Sequence, residues 1–138
     1  LGDVYKRQLH DEAGKVTQGK PKLGAFVLPD NATNGTLEDL LLECAERVYP
    51  DLLKLAKNYV DAAENTNLDK AELEDIKKPA GKNKAVVGAI ANIMKPGKSV
   101  QVSIQDNNWL KGVALSLPRI QSVQKFLQIL FELELLNA

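Results

Sequence analysis

The fold turns on one stretch, Leu23-Gly24-Ala25-Phe26-Val27-Leu28-Pro29-Asp30-Asn31-Ala32-Thr33-Asn34-Gly35-Thr36-Leu37-Glu38-Asp39-Leu40-Leu41-Leu42. Its first six residues are apolar on successive positions and stop at a proline. A run of that length without alternation suits a strand buried on both faces, as in a parallel sheet covered by helices. Residues 29–35 are dense in turn formers. Thr36 and Asp39 then have capping-box spacing, with Asp in place of Glu or Gln. Leu37, Leu40, Leu41, Cys44 and Val48 follow at helical spacing as one apolar stripe, opposite Asp39, Glu43 and Glu46. A buried strand would thus deliver Asp30 at its carboxyl end, facing a helix whose first turn holds Glu38 and Asp39. Ligands of open α/β sheets gather at that place. Carboxylates there suit Mg²⁺, a hard cation that takes oxygen ligands and can activate water at a phosphodiester. Acids in a first helical turn are also favoured by the macrodipole with no further role.

Outward from this stretch, the pattern continues as α/β. Residues 9–21 read as a polar loop with a short strand near Lys15–Thr17. Pro50 suits the first turn of a second helix, whose stripe is Leu52, Leu55, Ala56, Tyr59 and Ala63. Residues 65–84 are charged and hold Pro79 and Gly81, which reads as a linker with room for one helical turn over 70–76. Helical spacing returns over 84–94 through Val86, Ile90 and Ile93. Residues 99–105 alternate polar and apolar through Val100, Val102 and Ile104, a strand signal. Residues 109–117 give no clear period. Pro118 opens a last helix with Ile120, Val123, Leu127 and Leu130 in one stripe and Phe126 and Leu133 beside it. Ile129, Phe131, Leu135 and Leu136 broaden its apolar face beyond the needs of a surface helix.

Composition excludes several classes. The chain has 138 residues, 44% hydrophobic and 26% charged, with 18 basic residues balancing 18 acidic ones. That is a globular composition without the basic excess of a typical nucleic-acid binder, though a local basic face stays open. One Cys cannot form an internal disulfide, and one His with one Cys cannot build a Cys/His zinc site. No apolar run approaches the roughly 18–20 residues that span a bilayer. A soluble, cytoplasmic protein is expected, with no membrane partner. Cys44 lies on an apolar stripe and reads as a buried thiol. Trp109 reads as a core or rim anchor. Lys82 and Lys84, with Lys77 and Lys78 upstream, are candidates for phosphate contact. His10 stands alone, and Gly14 and Gly19 make no phosphate loop.

Residues 1–8, Leu-Gly-Asp-Val-Tyr-Lys-Arg-Gln, back-translate over residues 3–8 into a transposon-end sequencing adapter. The expectation is that residues 1–8 are an artefact and that 9–138 form one domain lacking its N-terminal part.

Pro29-Asp30-Asn31, Gly35, Leu37-Glu38-Asp39 and Leu40-Leu41 together resemble the signature of a bacterial family of uncharacterised, Toprim-related proteins. Cys44-Ala45-Glu46, Tyr59-Val60-Asp61, Lys84-Ala85, Pro96-Gly97, Trp109 and Phe126-Leu127 extend the likeness over residues 22–130. The resemblance implies a Toprim-like sheet with helices on its faces. It implies relation to Mg²⁺-dependent enzymes, including nucleases of the overcoming-lysogenization-defect type, with a place in defence against phage. On that reading Asp30 and Glu38 are metal ligands, and Asn31 and Asp39 stand behind them. Nucleic acid would then be the partner. The Asp-x-Asp pair of such sites is absent and would belong to the missing part, leaving this fragment inactive. The second reading is a non-catalytic module that binds a nucleotide, nucleic acid or protein partner. The broad last helix would pack on another copy or on the missing N-terminal part.

Overall fold

The computed structural model describes residues 12–133. The adapter reading of residues 1–8, His10, Leu135 and Leu136 lie outside the described residues. The chain divides into two compact units, one of residues 36–116 and one formed by its two flanks.

The first unit is helical: α1 (Leu37–Val48), α2 (Pro50–Glu64), α3 (Gly81–Met94), α4 (Val100–Asp106) and a 3-10 helix (Gly112–Ser116). α1 starts where its sequence says it should. Thr36 and Asp39 form the capping box, with the Thr36 N–H donating to Asp39 Oδ2 at 2.7 Å. α2 starts at Pro50, whose missing N–H costs nothing in a first turn. α3 packs on α1, α2 and α4. Its Val86, Val87, Ile90 and Ala91 meet Leu41 and Ala45 of α1, Leu53, Ala56 and Val60 of α2, and Trp109 in one buried cluster. Trp109 is fully buried, stacks edge-on against Tyr49 with centroids 5.6 Å apart, and donates its indole N–H to Ser103 Oγ at 3.0 Å. The amphipathic need of an indole is thereby met on both its apolar and polar sides.

α3 begins at Gly81, inside the expected linker, because the chain closes tightly there. A Cβ on Gly81 would stand 2.1 Å from the Asp75 carbonyl oxygen and 2.7 Å from that of Ile76. Residues 65–80 are turns rather than a helix. Asp69 and Glu72 cap each other's backbone N–H at 2.9 and 3.0 Å.

The other unit joins residues 12–35 to α5 (Pro118–Phe131). Phe26 meets Phe126 with centroids 5.4 Å apart. Gly24 makes room for this pair: a Cβ there would lie 2.9 Å from the Phe126 ring.

The expected α/β fold is overturned. The structure is helical, and among the described residues no sheet forms. The apolar run 23–28 makes only isolated bridges, Ala25 with Ala13 in parallel sense and Gly24 with Val16 in antiparallel sense. The opposing segment bends between those points, where Gly14 takes a left-handed φ of 78°. A partner that reverses direction cannot continue a ladder. Residues 99–105 are also not a strand. Val100 and Ile104 sit one helical turn apart and pack on the core, with buried Ser103 between them. Over seven residues, spacings of two and four share the same apolar positions, and tertiary packing selects the helix.

Candidate functional site

Asp30, the residue placed at the centre of the sequence reading, belongs to a closed turn. Asn31 sits in the left-handed region at φ 66°, which its short polar side chain tolerates. It donates its N–H to the Val27 carbonyl and accepts the Val27 N–H on Oδ1, both at 2.7 Å. Asp30 Oδ1 accepts the backbone N–H groups of Thr33 at 2.8 Å and Ala32 at 3.1 Å. The Thr33 hydroxyl lies 2.9 Å from both carboxylate oxygens, and Arg119 Nε of α5 donates to Oδ2 at 3.1 Å. The Thr33 N–H, with Ala32, the Thr33 hydroxyl and Arg119 in support, holds the Asp30 carboxyl down to about 2 from an ordinary 3.8. Donors thus surround the carboxylate, and the segment Pro29-Asp30-Asn31 acts as a structural knot between the 12–35 segment and α5.

Glu38 and Asp39 lie in the other unit. Asp39 spends Oδ2 on the Thr36 cap and accepts Asn83 Nδ2 of α3 on Oδ1 at 2.9 Å. It therefore ties the N-terminal turn of α1 to that of α3. Glu38 is half-buried in the same first turn of α1. Among the described residues no group of three Asp, Glu, His or Cys side chains is arranged to hold a metal. Asp30 has its acceptor positions filled and Asp39 serves as a cap, so either carboxylate would have to give up these bonds to take Mg²⁺.

The lysines differ from one another. Lys82 is bound by Asp61 at 2.6 Å and Glu64 at 2.9 Å, and the Asp61 bond, then that of Glu64, raises its pKa. This arrangement has a helical logic. A cation in the first turn of α3 and two anions in the last turn of α2 each oppose their own helix dipole, and pairing across the helices offsets both. Lys78 is held by Asp75. Lys84 is exposed and, among the described residues, has no ion-pair partner given by the geometry. Cys44 is buried, which pushes its thiol up to about 11 and keeps it protonated.

The feature that sequence reasoning misplaced is a groove between α2 and α3. Leu55, Tyr59 and Ile93, which the helical spacing puts in line with buried neighbours, are 65%, 67% and 67% exposed. They wall a groove of about 610 Å³ floored by Ala56, Ala85, Gly88 and Ala89. The core face of α2 is instead Leu53, Ala56 and Val60. The signal was present in adjacent apolar pairs, Leu52-Leu53, Leu55-Ala56 and Tyr59-Val60. Such pairs make a stripe too wide for one buried face. α3 is more extreme: from Ala85 to Met94 its only polar side chain is Asn92. A helix this apolar is normally covered on most sides, yet the side of α3 bearing Ala85, Gly88, Ala89 and Ile93 is left open, with Asn92 on that same side. Gly88 sharpens the point. Beyond its chain neighbours and the backbone of its own helix, no atom lies within 4 Å of the place its Cβ would occupy.

The fold and site therefore define a helical protein with an open apolar groove and with carboxylates engaged in turns, caps and ion pairs. The chain belongs to a family of unknown function: the model of that family, Protein of unknown function (DUF3226), matches residues 3–132. The expectation of an uncharacterised family holds in this form, and nothing in the match links it to Toprim domains. No curated protein and no solved structure matches the chain. Among the described residues no helix is long and apolar enough to cross a membrane.

Proposed function

We propose that the chain is a non-catalytic interaction module whose α2–α3 groove receives an amphipathic helix of a protein partner. The open side of α3, apolar except for Asn92, carries this reading. Exposed apolar patches of this kind mark interaction surfaces. Walls bearing Leu55, Tyr59 and Ile93 suit helix-in-groove recognition, in which side chains at i, i+3, i+4 and i+7 enter the groove. The small floor residues let a partner backbone come close. Glycine inside a helix costs about 0.5–1 kcal/mol relative to alanine. Gly88 bears that cost where the fold itself has room for a side chain, and the result is a deeper groove.

The alternative, Mg²⁺-dependent phosphoryl transfer, takes its support from the resemblance. The bonding of Asp30 to Thr33, Ala32 and Arg119 gives it none.

The test is fluorescence anisotropy of labelled amphipathic helical peptides that share a leucine face and differ in polar face. At least one should bind saturably. Gly88→Trp, which fills the groove, and Leu55→Lys should each weaken binding at least tenfold, while Leu23→Lys in the other unit should leave it unchanged. Absence of saturable binding by every peptide, or equal binding by the Gly88→Trp variant, would overturn the proposal.

A further inference from the structure

We draw no further inference here: the strongest candidate, the exposed apolar end of the last helix formed by Leu127, Ile129 and Phe131 with Leu133 just beyond it, carries nothing because nothing in the structure shows what covers it.

Discussion

The two units of the chain are held together by different physics. Residues 36–116 surround one apolar cluster centred on α3 and Trp109, and polar bonds such as Asp39–Asn83 and Lys82–Glu64 join its helix ends. The flanks, 12–35 with α5, bury fewer apolar side chains, among them Pro29, Leu117, Ile120 and Phe126, and add the Phe26–Phe126 pair and a polar knot around Asp30. Burial of apolar area is insensitive to pH, whereas a knot built on a carboxylate is not. The comparison teaches that the acidic motif most suggestive of chemistry in this sequence is engaged in bonding its own turn to Arg119 of α5, beside a smaller apolar core.

The largest expected effect is Trp109→Ala. It removes a fully buried indole together with its bond to Ser103 and should cost about 3–5 kcal/mol in denaturant unfolding. A loss below about 1 kcal/mol would mean that Trp109 is not the centre of the first unit. Next comes Gly81→Ala, whose Cβ meets two carbonyl oxygens. Overpacking of this kind costs about 1–3 kcal/mol, and an unchanged melting temperature would contradict the tight start of α3.

The third prediction separates the units by pH. Asp30 has a folded pKa near 2 against an ordinary 3.8, so the unfolded chain takes up its proton first as pH falls. The stabilisation is complete above about pH 4 and is lost between about 4 and 2. Amide exchange read by NMR should show residues 27–33 opening in that window in the parent chain. In Asp30→Asn the same residues should show no such pH step, and a step that survives the substitution would assign it to another acid. The smallest effect is Gly88→Ala, which should stabilise the chain by about 0.5–1 kcal/mol because the helix gains and nothing is displaced. Destabilisation would mean that the groove floor is already filled.

Local signals in the sequence placed much of the helical frame. The Thr36–Asp39 cap, Pro50 and Pro118 mark helix starts that the structure keeps. The fold class failed at residues 23–28, because a strand needs a partner that runs straight, and the bend at Gly14 lies outside the run itself. The candidate metal site failed to gain support for a related reason. Asp30 looks available in sequence, but its acceptors are taken by Thr33 three positions on and by Arg119 at a distance of 89 residues, a partner no local pattern announces. The groove was half legible. Periodicity found the apolar positions of α2 and α3, while the choice of which face is buried depended on neighbours that only the fold supplies.

The most direct test of the groove is methyl NMR on the whole chain with labelled Leu and Ile, titrated with the best-binding amphipathic peptide. The account predicts saturable shifts at Leu55 and Ile93, small changes at the core residues Leu53 and Ile90, and loss of these shifts in a folded Gly88→Trp variant. Shifts confined to residues outside 52–93, or unchanged by that substitution, would contradict it.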